Sequence, residues 1–180
     1  SLVEEPDVRY VNMALYELKS IESSYMFTVL GDTAFFLMKA PMMIQKLCNL
    51  IAMENEPSIV VISTEMSEDQ IMSRILANFS GIYSQKILAG HLNREEDERI
   101  EELKRLISSK KLKIYDDVYD LSDIETVFRK QELQGGVDIG FIDYVQNCMV
   151  SSAKSEYQEG SMLAKGLQKL AKDVRATIVC

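Results

Sequence analysis

The sequence predicts an α/β fold: a mainly parallel sheet with helices on both of its faces. Short apolar runs that suit buried strands alternate along the chain with amphipathic segments of helical periodicity. That alternation is typical of βαβ units joined by right-handed crossovers. Several of the apolar runs end in acidic residues, as strands that lead to a ligand site do. The 180 residues suit about one domain with a single substantial core.

The amino-terminal third predicts a helix, a strand and a second helix. Residues 8–21 carry one apolar stripe, which predicts an amphipathic helix; its members are Val8, Val11, Leu15 and Leu18. After a turn at Gly31 and Asp32, residues 34–38 form an apolar run that predicts a buried strand. Residues 42–53 predict the helix that leaves this strand, and Pro41 suits the first turn of a helix.

The middle of the chain repeats the strand and helix order. Residues 59–63 predict a strand, and Ser67 predicts the cap of a helix through residue 79. Residues 95–108 form a charged amphipathic segment that predicts a helix, and residues 112–115 predict the next strand.

The last third of the chain contains the last two strands of the predicted sheet. Ser122 is expected to begin a helix that Gly135 and Gly136 end. Residues 139–143 predict the fourth strand, and residues 176–179 the fifth. The helix between those two strands is predicted over residues 162–174, where leucines form one stripe.

Composition excludes several classes of protein. The net charge of −8 argues against this segment binding nucleic acid through clustered cations. A single histidine, His91, cannot build a histidine-rich zinc site. A serine-histidine-aspartate triad would need distant partner residues that the sequence does not identify. No apolar run approaches the about 18 residues of a membrane span, so we expect no membrane association and a cytoplasmic location. The three cysteines contain no C-x-x-C pair, which predicts reduced, mostly buried thiols.

Acidic residues follow three of the predicted strands. Asp143 ends residues 139–143, Glu65 follows residues 59–63, and Asp116 and Asp117 follow residues 112–115. Some of these acids should meet at one sheet edge, where one acid can hold Mg²⁺ through water and another can accept a proton from an attacking water. Turn and cap roles remain open, for Asp143 and equally for Asp116 and Asp117.

Four segments resemble DnaB-type replicative helicases, in the same order and at similar spacing. They are residues 62–74 (ISTEMSEDQIMSR), 86–92 (KILAGHL), 139–146 (IGFIDYVQ) and 167–172 (LQKLAK). The resemblance covers about residues 31–180 and implies a RecA-like P-loop NTPase core, with residues 1–30 as an amino-terminal linker segment. It also implies that the family's core continues beyond Cys180.

The resemblance carries site roles onto matching residues. It implies that Glu65 polarises the attacking water and that Asp143 binds Mg²⁺ through water. It places Pro41, at the edge of the phosphate loop, and Gln146, at the end of the IDYVQ motif, in the nucleotide site. The implied cofactors are ATP and Mg²⁺. Arg74 and Gln70 (in residues 62–74) also match, although each could simply tie its helix to neighbouring acids.

The sequence departs from the family at the phosphate loop. In the family, Ala-Arg-Pro runs into Ser-Met-Gly-Lys-Thr, whereas here Pro41 is followed directly by Met42 and Met43, and the loop is about five residues shorter. The missing residues include the phosphate-binding Gly-Lys-Thr. Lys39 and Lys46 are not convincing substitutes, because neither follows a glycine, and we expect both to be surface lysines.

Two interpretations of this departure stay open. Either the chain is a degenerate relative, or the printed sequence omits a loop of the natural polypeptide. The leading hypothesis is the motor domain of a hexameric replicative DNA helicase. Its expected partners are further copies of the chain, single-stranded DNA through regions outside this sequence, and a primase or helicase loader. The alternative is a RecA-like module without nucleotide hydrolysis that binds helicase or replisome partners. A RecA-like ATPase of recombination or clock type ranks third.

Overall fold

The computed structural model describes residues 27–30, 33–36 and 40–180, with side chains from residue 43 onward except that of residue 156. The predicted helix over residues 8–21 and Lys39 lie outside the described residues. The elements, in chain order, are β1 (Phe27–Leu30), β2 (Thr33–Phe36), α1 (Ala40–Ile51), β3 (Ile59–Ser63), α2 (Glu68–Ser80), α3 (Ser84–Leu88), α4 (Arg94–Ser108), β4 (Leu112–Tyr115), α5 (Leu121–Gly135), β5 (Ile139–Asp143), a 3₁₀ turn (Val145–Asn147), α6 (Glu156–Asp173) and β6 (Thr177–Val179).

The described strands form one six-stranded sheet in the order β1-β2-β6-β5-β3-β4. All neighbouring pairs run parallel except β1 and β2, which form an antiparallel hairpin. The predicted α/β fold with a mainly parallel sheet is therefore confirmed. β1 was not predicted, because its four residues lie just before the expected turn at Gly31 and Asp32 and show no distinct pattern.

Two apolar cores cover the two faces of the sheet. One core joins α1, α2 and α4 to alternate residues of the central strands, including Val61 and Phe141. The other joins α5 and α6 to the intervening residues, including Ile62 and Ile142. Because successive strand side chains point to opposite faces, strands buried on both sides must be apolar at every position. All five residues of β3 are buried accordingly.

Side-chain caps set the helix starts, and two of them differ from the predictions. Ser67 caps α2 as predicted, in a capping box with Gln70. Asp120, and not Ser122, caps α5: its carboxylate accepts a hydrogen bond from the Ser122 amide at 2.9 Å. Ser155 caps α6, which begins at residue 156 and therefore six residues before the predicted start. The leucine stripe that predicted α6 begins after the polar first turns of this helix, so apolar periodicity alone missed its start.

The prediction of buried thiols is confirmed. Cys48, Cys148 and Cys180 are buried free thiols. No described helix is long and apolar enough to span a membrane.

The peptide bond between Asp143 and Tyr144 is cis.

Gly140 lets α5 pack directly on the central strand β5. A Cβ atom at this position would overlap with Cζ of Phe128, a residue of α5 whose ring is completely buried. Real Cβ atoms do not approach carbon atoms this closely, so any side chain here would displace the ring or the helix.

We expect Gly140→Ala to destabilise the protein by about 1–3 kcal/mol, because the well-packed core must shift to admit the methyl group. Denaturant unfolding of the wild-type and variant proteins measures the difference. Gly160→Ala is the matched control: it lies in α6 with open space around its Cβ position, so the exchange should be neutral or slightly stabilising. Equal stability of the two variants would contradict the packing role of Gly140.

Candidate functional site

The parallel pairing of β3 with β5 brings two strand-end acids to the same edge of the sheet. In this pairing Ser63 lies opposite Asp143, and Glu65 follows two residues after Ser63. β4 pairs with the other side of β3, so Asp116 also lies at this edge. The structure therefore brings together the acids that the sequence placed after separate strands.

Asp143 is a buried carboxylate with an unpaired oxygen. The residue is 6% exposed, and Oδ2 has no hydrogen-bond partner among the described residues. Burial raises the pKa of this carboxyl group, the nearby Glu65 carboxylate raises it further, and Arg74 opposes both effects. The 3₁₀ turn that follows has no side-chain cap. Asp143 thus lacks the hydrogen bond that a cap requires, and Oδ2 is a buried acceptor without a donor among the described residues.

Glu65 is an exposed carboxylate on the turn between β3 and α2. The turn is anchored after Glu65, where the buried Ser63 hydroxyl accepts a hydrogen bond from the Met66 amide at 3.0 Å. Glu65 is near enough to Asp143 for its negative charge to raise the pKa of that carboxyl group. The pair thus consists of one buried acid and one acid in contact with solvent, a division that suits one metal-binding and one proton-accepting group.

Two polar residues near this pair have structural roles. The carboxylate of Asp116 accepts a hydrogen bond from the Glu68 amide at 2.8 Å, which ties the end of β4 to the first turn of α2. Gln70 completes the capping box, since its side chain accepts a hydrogen bond from the Ser67 amide at 3.0 Å. Arg74 is exposed on α2 and close enough to lower the pKa of Asp143. Asp117 is exposed.

Thr64 is a site residue that the sequence analysis missed. It connects the end of β3 to the chain just after β5: its amide donates to the Asp143 carbonyl at 2.7 Å, and its hydroxyl accepts from the Tyr144 amide at 3.1 Å. The hydroxyl also lies 3.1 Å from the Tyr144 carbonyl, to which it donates. Asn147 adds a longer bond from its side-chain amide to the Thr64 carbonyl at 3.4 Å. The only sequence signal was position, directly before Glu65.

Two further residues, Gln146 and Pro41, are candidates for the nucleotide site. Gln146 is exposed in the 3₁₀ turn after β5. Pro41 lies in the first turn of α1, as predicted, and its side chain is outside the described part of the structure.

Lys46 is buried, so the expectation of a surface lysine is wrong for this residue. It is 8% exposed and lies on α1 three residues after Met43 and four before Leu50, both of which are buried. These spacings place Lys46 on the inward-facing side of the helix. A lysine in the middle of a predicted helix suggests a solvated face, and only the packing of α1 against its neighbours reversed that expectation.

The described acids fit a hydrated magnesium ion, but the sequence does not supply a phosphate cradle. Carboxylate oxygens are the ligands that Mg²⁺ prefers, and the ion usually keeps several waters between itself and the protein. A phosphate loop needs glycines that allow backbone amides to surround the anion. No glycine occurs from residue 32 to residue 80, which includes the whole connection from β2 to α1.

Comparisons with known proteins point to one family. The family model described as “DnaB-like helicase C terminal domain” matches residues 28–180. A probable plasmid replicative DNA helicase of Chlamydia trachomatis serovar L2 is 32% identical over 131 residues, which is 72% of this chain and 29% of that protein. The replicative DNA helicase DnaB of Buchnera aphidicola subsp. Baizongia pistaciae is 29% identical over 137 residues, 74% of this chain and 30% of that protein. The chain thus spans about a third of the length of these relatives.

Solved structures share the fold. One is titled as a DnaB-like replicative helicase and its interactions with primase. Its TM-score is 0.67 and its sequence identity is 20%, and the match covers 78% of this chain and 34% of that chain. Another is titled as an ATPase domain. Its TM-score is 0.69 and its sequence identity is 18%, and the match covers 98% of this chain and 70% of that chain. The RecA-like fold that the resemblance implied is therefore confirmed.

We expect Asp143→Asn to stabilise the protein at neutral pH by about 1 kcal/mol, because the exchange removes a buried charge that lacks a donor at Oδ2. The folded-state pKa of Asp143 is raised, so the penalty is absent below the ordinary pKa of 3.8 and develops as the pH rises through the folded-state value. The gain should therefore vanish in acid. Thermal unfolding of both proteins across this pH range provides the measurement, and a variant less stable than wild type at pH 7 would contradict the assignment.

Proposed function

Because the chain belongs to the DnaB-like helicase C-terminal domain family, we propose that it is the ATPase motor of a replicative DNA helicase. Family membership implies nucleotide binding. The observation that carries the proposal within this chain is the pair formed by buried Asp143 and exposed Glu65 at the ends of neighbouring strands. In open α/β sheets, ligands bind at this edge.

The two acids would divide the chemistry between them. Asp143 would hold Mg²⁺ through water, with its carboxylate accepting a hydrogen bond from the ion's hydration shell. Glu65, in contact with solvent, would orient a water molecule and accept its proton. When bound, ATP supplies the phosphoryl group that this water attacks. Arg74 lies near enough to favour the ionised form of Asp143, which is the form that binds a cation.

The phosphate cradle is the part of this proposal that the printed sequence does not contain. We propose that the natural polypeptide carries about five further residues next to Pro41, including the phosphate-binding lysine, because the flanking β2 and α1 are both present. Peptide mapping of the natural protein by mass spectrometry between Lys39 and Lys46 tests this directly. A peptide of the printed sequence alone would favour the alternative, a RecA-like module without hydrolysis that binds helicase or replisome partners.

The assembly is also part of the proposal. We propose a hexameric ring in the cytoplasm, in which the segment before β1 forms a linker whose amphipathic stripe over residues 8–21 docks on an adjacent copy of the chain. Single-stranded DNA would be contacted through regions outside this sequence. A primase is a candidate partner because a structural neighbour is titled by its interactions with primase.

The intact natural polypeptide provides the test of hydrolysis. We expect Glu65→Gln to lower ATP turnover by about 10²- to 10⁴-fold, because it removes the proton acceptor, while Mg²⁺-dependent nucleotide binding persists. Asp143→Ala should weaken that Mg²⁺-dependent binding. Steady-state hydrolysis and titration with a fluorescent ATP analogue measure the two effects.

Glu102→Gln is the matched control for the loss of one carboxylate, since Glu102 is exposed on α4, away from the strand ends. It should hydrolyse ATP like the wild type. A wild-type protein that binds no nucleotide would overturn the proposed motor function. Full turnover in Glu65→Gln would instead overturn only the role of Glu65.

A further inference from the structure

We propose that Thr64 is a positioning residue, which fixes Glu65 relative to Asp143 through its side-chain hydroxyl; this inference rests on the proposed ATPase function. The residue is 9% exposed and lies between the last residue of β3 and Glu65. It contacts the chain at Asp143 and Tyr144, and thus at the second strand end of the site.

The hydroxyl of Thr64 uses both of its hydrogen-bonding capacities at this junction. It accepts from the Tyr144 amide and donates to the Tyr144 carbonyl, each at 3.1 Å. It also lies 3.4 Å from the Asp143 carbonyl. Since a hydroxyl offers one donor and can accept at the same time, no apolar side chain of the same shape can replace these bonds. The ladder bond from the Thr64 amide to the Asp143 carbonyl would remain after such a replacement.

The position of Glu65 depends on its backbone. Within the described residues its exposed side chain has no hydrogen bond or ion pair of its own. The turn that carries it is held on one side by Thr64 and on the other by the bond from the Met66 amide to the Ser63 hydroxyl. Loss of the Thr64 hydroxyl would therefore weaken the first of these two anchors, which would keep only the ladder bond, and would let Glu65 shift with respect to Asp143.

A shift of this kind affects chemistry more than binding. Proton transfer to a general base requires hydrogen-bond distance to the water, so a displacement of about 1 Å can cost on the order of 10²-fold in rate. Affinity for ATP depends on contacts elsewhere and should change little. Such a split between turnover and affinity separates positioning from a general loss of structure.

The test compares Thr64→Val, which keeps the shape and removes the hydroxyl, with Thr64→Ser, which keeps the hydroxyl. In the intact natural polypeptide we expect Thr64→Val to lower kcat for ATP by about 10- to 100-fold with KM within about twofold of wild type. Thr64→Ser should recover kcat to within about threefold. Thr126→Val, at an exposed threonine of α5, is the control for the same chemical change and should leave kcat unchanged.

Amide hydrogen exchange provides a readout that does not depend on hydrolysis. Thr64→Val should speed exchange at Tyr144, which loses its acceptor, and at Met66, on the far side of Glu65, while Thr64→Ser should not. Unchanged exchange at Met66 in Thr64→Val, or unchanged kcat in an active protein, would overturn the inference. If wild type hydrolyses no ATP, the proposed function fails and the exchange at Met66 alone decides the role of Thr64.

Discussion

The parallel pairing of β3 with β5 is the constraint on which both the core and the site depend. Its register runs from Ile59 opposite Ile139 to Ser63 opposite Asp143. Because side chains alternate between the two faces, a slip of one residue would exchange the sets that the two cores bury. The same slip would move Glu65 away from the end of β5. The apolar packing of α2 and α5 on opposite faces therefore also sets the distance between the two acids.

The buried polar side-chain atoms around this pairing have hydrogen-bond partners, with one exception among the described residues. The hydroxyls of Ser63 and Thr64 and the carboxylate of Asp116 all pair with backbone groups. Oδ2 of Asp143 alone is buried without a partner. Native proteins rarely leave such an atom unpaired, and they do so mostly at functional sites, where stability is exchanged for ligand binding. The unpaired oxygen of Asp143 therefore costs folding free energy, as the metal-binding role proposed for this residue would require.

The accuracy of the predicted elements followed the kind of signal each one had. β3, β4 and β5 have the predicted bounds, because uninterrupted apolar runs ended by polar residues leave little choice. The start of α6 differed because its cap, Ser155, comes before polar first turns that apolar periodicity does not mark. The cap of α5 differed because Asp120 also accepts a hydrogen bond from the amide of Ser151, in the loop after β5. The local sequence pattern does not indicate such distant partners.

The sequence by itself determined the order of strands and helices, the acids that end the strands, and the resemblance that the family match later bore out, because these depend on local periodicity and short motifs. Only the tertiary structure decided what each polar residue does. Asp116 accepts a hydrogen bond from the amide of Glu68, 48 positions earlier. Oδ2 of Asp143 has no partner among the described residues, Lys46 is buried, and Thr64 joins two strand ends. Each outcome depends on which distant backbone or side-chain groups surround the residue after the sheet has assembled, and no local pattern encodes them.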